Sequence, residues 1–219
     1  MDKGIRPNRN TVLRLTQYKN MLHRLKSLGF ERVFSDNLAG AVGVTASQVR
    51  RDFAFFGISG NKRGGYAIDA LIEKMRSLLG KGSIQKVIIV GAGHIGQALM
   101  HYKGFVKEGI RIVAAFDIDA QKQDQHQRIP VFSMECMQPY AREHDIKLGI
   151  ICVPEHAAQE VFDQMLDTPI EGVLNFAPMR LIAHRDCEVH NVNVGLELET
   201  VVYFVNAKHQ GVRYADSAS

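Results

Sequence analysis

A chain of 219 residues, 46% hydrophobic, 23% charged and with a formal net charge of +4, has the make-up of an ordinary soluble globular protein with room for one large domain or two small ones. No apolar run approaches the length of a membrane span and no signal-peptide pattern opens the chain, which argues against a membrane partner and for the cytoplasm. Cys136, Cys152 and Cys187 are scattered without CxxC spacing, and no histidine pair is backed by cysteine or carboxylate at ligand spacing, so reduced thiols and no metal are expected. The charge is unevenly placed. Residues 1–80 carry 14 Lys and Arg against 6 Asp and Glu, whereas 81–219 carry 13 against 17. A basic N-terminal third on an acidic remainder suggests a nucleic-acid module joined to something else, although a solvated basic face has the same composition.

The residues up to about Asn10 are polar and basic and read as a mobile arm. From Thr11 to Leu28 the apolar positions Val12, Leu15, Tyr18, Leu22 and Leu25 recur at helical spacing, and Gly29 stops the helix. Ser35 and Asp36 are candidate caps of a short second helix that Gly43 ends. Thr45-Ala-Ser-Gln48 has the form of a capping box, so a third helix is predicted from Ala46 to about Phe55. On its wheel Val49, Phe53 and Phe56 face the core. Ser47, Arg51 and Ala54 face outward, flanked by Gln48, Arg50 and Phe55. This is a helix-turn-helix pattern, in which arginine can pair with guanine and Gln or Ser can meet adenine or phosphate in a major groove. An amphipathic helix with a solvated basic face is the plainer alternative. Gly57 to Tyr66, with Lys62 and Arg63 among glycines, is expected to form a basic wing or else a flexible loop. Ile68 to Leu79 predicts one more helix, and Gly80-Lys-Gly82-Ser83 a domain joint.

The stretch from Lys86 to Asp117 is the most informative. Lys-Val-Ile-Ile-Val runs into Gly91-Ala-Gly93-His-Ile-Gly96, followed by a helical segment with Leu99, Met100 and Val106, then the apolar run Arg111 to Phe116 and Asp117. Strand, G-x-G-x-x-G turn, helix, strand and terminal acid form one mononucleotide-binding βαβ unit. Gly91 allows the tight turn, Gly93 lets the backbone approach a pyrophosphate, and Gly96 lets the helix pack on the strand. The first-turn N–H groups face the phosphates. Asp117, about 20 residues beyond the glycines, is placed to accept from a ribose and to repel a 2′-phosphate, which selects NAD(H) over NADP(H).

A strand at Val131-Phe132 follows, with Ser133 capping a helix toward Glu143 that Pro139 interrupts. Leu148 to Val153 reads as a buried parallel strand, Ala157 to Leu166 as an amphipathic helix and Gly172 to Phe176 as a strand. Cys187 to Asn193 alternates like an edge strand, Val194 to Val205 is helical, and residues 207–219 form a polar, flexible tail. The expected class is α/β, with a winged helix-turn-helix domain (1–80) and a Rossmann-like doubly wound parallel sheet ending in a helix (84–206).

A winged helix followed by an NAD-binding sheet resembles the bacterial redox-sensing repressors of the Rex family. The matching stretches are Arg14-Leu-Thr-Gln-Tyr18, Gly43-Val-Thr-Ala-Ser-Gln-Val-Arg-Arg-Asp52, Phe56-Gly57, Lys62-Arg63-Gly64, Val90-Gly-Ala-Gly-His-Ile-Gly96 and Tyr102-Lys-Gly-Phe105. Val113-Ala-Ala-Phe-Asp117, Val153-Pro154 and Asn175-Phe-Ala-Pro178 extend the match to most of the chain. The wing glycines are spaced differently from the usual family pattern, and His94 stands where asparagine is more usual. The resemblance implies a homodimer that exchanges its C-terminal helix, here Val194 to Val205, though packing back on its own sheet would bury that helix as cheaply. It also implies two-fold symmetric operator DNA, repression when NADH is scarce and release when NADH binds. The residues it points to are Gly91, Ala92, Gly93, His94, Ile95, Gly96 and Asp117 for the cofactor, with Tyr102 and Phe105 near the nicotinamide. For DNA they are Ser47, Gln48, Arg50, Arg51, Lys62 and Arg63. Two other readings fit parts of the pattern. An NAD-dependent oxidoreductase would need a substrate domain for which no chain is left. A CoA-binding regulator would gain little from Asp117 beside a 3′-phosphorylated ribose.

Overall fold

The computed structural model describes residues 7–61, 64–80 and 84–209. They form two units, one before and one after residues 81–83.

In the first unit, helix α1 (Arg9–Ser27) starts where the Asn8 side chain accepts the Thr11 N–H at 2.8 Å, and it buries Leu15, Tyr18 and Leu22. The helix therefore takes in Arg9 and Asn10, which the sequence reading left in an arm. Gly29, at φ +85°, turns the chain into β1 (Arg32–Val33), a two-residue strand with no pattern long enough to be seen in sequence. Helix α2 (Ser35–Val42) is not capped by Ser35 or Asp36 as expected. Phe34 is the cap residue, and the Asn37 side chain accepts the Phe34 N–H at 3.1 Å, which makes Ser35 the first helical residue. Gly43, left-handed at φ 72°, ends α2 and leads to α3 (Ala46–Phe55). Strand β2 (Tyr66–Ala67) pairs antiparallel with β1, and α4 (Ile68–Leu78) closes the unit. The predicted wing takes the form of a bridge between Asn61 and Gly65 running into β2. Lys62 and Arg63 lie outside the described residues.

Half of the expected capping box is present: Thr45 Oγ1 accepts the Gln48 N–H at 3.1 Å. The Gln48 side chain does not reach back, because Asp52 one turn on holds its amide at 2.8 Å. Asp52 is buried, and Arg14 of α1 grips both its oxygens at 2.7 Å while the Tyr18 hydroxyl donates at 2.9 Å. The carboxylate thus joins α1 to α3 inside a core of Tyr18, Leu22, Val49, Phe53, Ile68 and Met75. Burial alone would raise the Asp52 carboxyl, but donors from Arg14, Gln48 and Tyr18 outweigh it and hold the group below the usual carboxylate range.

In the second unit the strands are β3 (Gln85–Val90), β4 (Ile110–Asp117), β5 (Val131–Ser133), β6 (Leu148–Ile151), β7 (Gly172–Asn175) and β8 (Glu188–Asn191). They lie in the order β5-β4-β3-β6-β7-β8, all parallel, as in a doubly wound dinucleotide fold. Helices cover both faces, so the strands have no polar alternation. Ile88 and Val90 pack toward α7 (Met137–Glu143) and α8 (Glu155–Leu166), while Val87 and Ile89 pack with Met100 of α5 (His94–Met100). The segment after the glycine turn is not one helix: α5 ends at Met100 and a separate turn, α6 (Gly104–Lys107), follows. Pro139 does not interrupt α7. It occupies the first helical turn, where its missing N–H has no partner to lose, and Ser133 makes no side-chain cap. Helix α9 (Val194–His209) begins where Asn193 accepts the Leu196 N–H at 3.1 Å. It runs past the expected start of the tail, because Ala207 and Lys208 favour helix and Lys208 and His209 suit a C-terminal turn. No helix of the described residues is long and apolar enough to cross a membrane.

Removing Asp52 leaves Arg14 without its partner, and Asp52→Ala should lower unfolding free energy by about 3–5 kcal/mol in a urea titration at neutral pH. The Asp52 carboxyl is held low in the folded state, so its contribution is present above the unfolded carboxylate range of about pH 4 and fades as pH falls through the folded value. Wild type and variant should therefore converge in strong acid. A difference that persists unchanged to pH 2 would mean that charge is not what Asp52 contributes.

Candidate functional site

The sheet changes direction between β3 and β6, and a cavity of about 730 Å³ opens there at the carboxyl ends of the strands. The glycine turn forms one wall, and its glycines answer to different demands. Gly91 sits at φ +99°, and a Cβ there would stand 2.4 Å from the Cys152 carbonyl oxygen on β6's side of the switch point. A Cβ on Gly96 would lie 2.0 Å from the Gly91 carbonyl oxygen. Gly93 differs: its φ is −74°, and nothing of the protein lies within 4 Å of a Cβ built on it. The fold does not need a glycine at 93, yet the residue lines the cavity with His94 and Ile95. The first N–H groups of α5 have no intrahelical acceptors, so this wall presents donors suited to an anion.

Asp117 is buried at the end of β4 and also lines the cavity. Its Oδ2 accepts the Ala92 N–H at 2.7 Å and its Oδ1 the Asp119 N–H at 2.9 Å. The acid expected to meet a ribose therefore also braces the glycine turn, a role that spacing alone does not reveal. Lys122 Nζ stands 3.5 Å from Asp117 and 3.5 Å from Asp119. Ile118, 85% exposed, projects beside them.

The other end is apolar, lined by Val153, Pro154, Ala157, Phe176 and Pro178, with Cys152 and His156 among them. Asn175 shapes this end. It is wholly buried, and its amide donates to the carbonyls of Ala177 and Met179 and to Asn191 while its oxygen accepts the Ala177 N–H, which fixes the loop that presents Phe176 and Pro178. Burial pushes the Cys152 thiol up to about 12, leaving it a protonated and unreactive lining group. Among the described residues no group of three His, Cys, Asp or Glu could hold a metal.

Of the residues predicted for the cofactor, Gly91, Gly93, His94, Ile95 and Asp117 line this cavity, Ala92 meets it through Asp117, and Gly96 supports the turn. Tyr102 and Phe105 do not line it. They stack edge to face, centroids 5.0 Å apart, beyond the far end of α5, and seven helical residues carry the chain about 10 Å from the turn. Ile118, Lys122, His156 and Phe176 were missed. Their one signal in sequence is that each follows the carboxyl end of a strand.

The second site is the outer face of α3. Ser47, Arg50 and Arg51 are exposed there. Gln48 is not free as expected: its Nε2 donates to Asp52 and its Oε1 accepts Arg51 at 2.7 Å. A polar chain thus runs from buried Asp52 through Gln48 to the exposed guanidinium of Arg51.

Comparison with known proteins matches two family models: a putative DNA-binding protein N-terminus over residues 8–54 and a CoA binding domain over residues 83–179. The redox-sensing transcriptional repressor Rex of Lactobacillus gasseri is 37% identical over 198 residues, covering 90% of this chain and 92% of its own. The Rex of Oenococcus oeni is 35% identical, covering 90% and 92%. Among solved structures, RSP, a Rex-family repressor, in complex with beta-NAD+ and operator DNA superposes with TM-score 0.89 at 30% identity, covering 94% of this chain and 96% of that one. RSP in complex with beta-NADH superposes with TM-score 0.83, covering 94% and 98%.

The two kinds of glycine should separate on substitution. Gly96→Ala forces the turn apart and should cost about 1–3 kcal/mol of stability. Gly93→Val should leave stability within about 0.5 kcal/mol and abolish dinucleotide binding, because its side chain fills only the space a ligand would use. Thermal melts and a dinucleotide titration check both, and a Gly93→Val protein that still binds would show that no pyrophosphate lies against the turn.

Proposed function

The chain belongs to the Rex family of redox-sensing transcriptional repressors, and we propose that it holds operator DNA through α3 and lets go when NADH fills the cavity at the β3–β6 switch point. It is a regulator and not an enzyme. The observation that carries the reading is Gly93, a glycine that nothing in the protein requires, on a wall of free N–H donors. The binding partners named for RSP, NAD+ with operator DNA in one complex and NADH in another, support it. The pyrophosphate lies against Gly91 to Gly96 with Ala92, His94 and Ile95 around it, the adenosine ribose meets Asp117, and the adenine covers the exposed Ile118. The nicotinamide reaches the apolar end at Val153, Pro154, Phe176 and Pro178. A neutral dihydronicotinamide loses less than a cationic ring on entering such surroundings, so NADH binds more tightly than NAD there.

Ser47, Arg50 and Arg51 meet the DNA, Gln48 orients Arg51, and Lys62 and Arg63 neutralise phosphates beside them. The protein acts as a homodimer in the cytoplasm on an operator of two-fold symmetry. What supports the dimer is α9. Leu196, Leu198, Val201, Val202 and Tyr203 are all more than half exposed, and among the helix's described residues only Ala207 is buried. A helix apolar all round belongs in a core or an interface, and exchange with a second copy buries it symmetrically. Tyr102 and Phe105, outside the cavity of one protomer, meet the nicotinamide once a partner closes over it. NADH releases DNA because it binds the DNA-incompetent arrangement more tightly, and operator DNA must weaken NADH by the same factor.

The CoA-binding family model favours a second reading, CoA as the ligand. A titration of DNA-bound protein separates the two: NADH should release the duplex at lower concentration than NAD, and CoA should not release it. Arg51→Ala should cost about 1–3 kcal/mol on the operator and relax sequence preference. Release by CoA in preference to NADH would overturn the cofactor assignment. A chain truncated at Val194 should be monomeric by light scattering and lose specific operator binding, and a dimeric, DNA-releasing truncation would show that α9 is not the coupling element.

A further inference from the structure

A second cavity of about 780 Å³ adjoins the nucleotide site. It shares Gly93, His94 and Lys122 with it and is otherwise polar, walled by Gln97, Gln121, Gln123 and Asp124. It meets the nucleotide site at Lys122, whose Nζ is 3.5 Å from Asp117, the acid that would hold the ribose. Lys122 stands between the two cavities with its side chain 41% exposed and its Nζ 3.5 Å from each of Asp117 and Asp119. At that distance the ammonium is close enough to be neutralised and free enough to turn to another anion.

We propose that Lys122 makes this chain's choice between NADH and NADPH electrostatic. The room and the cation that a 2′-phosphate needs are both present, and Asp117 and Asp119 hold that cation in check. The proposal rests on the dinucleotide reading above. A phosphate brings about two negative charges and three acceptor oxygens. The groups that would face it are Lys122 and His94 on one side and Asp117, Asp119 and Asp124 on the other, so the carboxylates prevail and NADPH is turned away. Asp119 is the decisive member. It pairs with Lys122, and its other oxygen accepts the Gln121 N–H at 3.0 Å, a bond that asparagine can also accept. Asp119→Asn therefore removes one of the ammonium's two carboxylate partners and leaves Asp117 and the turn in place.

Three fluorescence titrations of NADH and NADPH into the full chain test this. In wild type, NADH should bind well and NADPH weakly, and the gap should narrow from 20 to 500 mM salt, because screened charges discriminate less. Asp119→Asn should tighten NADPH on the order of tenfold and leave NADH within about twofold. Adding Lys122→Ala to Asp119→Asn should cancel that gain. A gap indifferent to salt, or a gain for NADPH that survives loss of Lys122, would overturn the proposal and leave shape as the discriminator. The salt series needs no variant, so it decides even if the substitutions misfold. A wild type that binds neither dinucleotide would remove the cofactor reading itself, which the NADH arm reports separately.

Discussion

The approach of Gly96 to the Gly91 carbonyl oxygen is the constraint from which the C-terminal unit follows. Any side chain at 96 would collide with that oxygen at 2.0 Å, and any at 91 would meet the Cys152 carbonyl at 2.4 Å. Because both spaces are empty, α5 starts directly against the end of β3 and the backbone of the turn can lie beside β6. The open crevice at the switch point is the result. The Asp117 carboxylate then pins the turn from the β4 side through the Ala92 N–H. Two steric allowances and one buried charged hydrogen bond hold the glycine turn in shape, which would lower the ordering cost of binding an anion there.

The N-terminal unit solves a similar problem with a buried carboxylate. Asp52 lies on the inner side of α3, where an apolar residue would also fit, and it takes hydrogen bonds from Arg14, Tyr18 and Gln48. Four polar side chains in one network, Asp52 and its three donors, cost desolvation that leucine would avoid. In return the register of α3 against α1 is set to within hydrogen-bond tolerance, and Gln48 passes that order to Arg51 on the exposed face. A residue that reads bases gains from such support, because a free arginine would lose rotamer freedom on binding.

On the proposed reading, redox sensing at the cavity does not rest on a thiol. The cysteine at the cavity, Cys152, is held protonated by burial. Oxidation state is then sensed as ligand charge, through an apolar end that disfavours a cationic ring. Carboxylates around Lys122 would likewise sense the phosphorylation state of the same ligand at the opposite end. One crevice would then make two electrostatic distinctions, at the two ends of an extended dinucleotide.

Much of this was legible in the residues alone. The glycine turn, the acid closing β4 and the apolar runs of β3 and β6 are local signals, because steric need and burial on both faces leave their mark within a few positions. The same holds for Thr45 at the start of α3 and for the outward arginines. Other features were not legible, each for a physical reason. Strand β1 is two residues long and exists only by pairing with β2, 34 positions away. Phe34 and not Ser35 caps α2, with Asn37 accepting its N–H, because a cap is decided by which side chain the backbone turn brings within reach. Gln48 serves Asp52 and Arg51, a choice settled by an arginine on α1. The breaks that set Tyr102 and Phe105 apart from the cavity, and the strand ends that bring Ile118, Lys122 and Phe176 to it, depend on how six strands stack in space. Sequence by itself determined which of the longer segments are strands and helices, where an anion could be cradled and which face of α3 is basic, since those depend on neighbours a few residues apart. Only the tertiary structure decided that Gly93 is free of packing demands, that Asp117 is also a brace and that Lys122 stands beside it, because each of those facts is a distance between residues the chain keeps far apart.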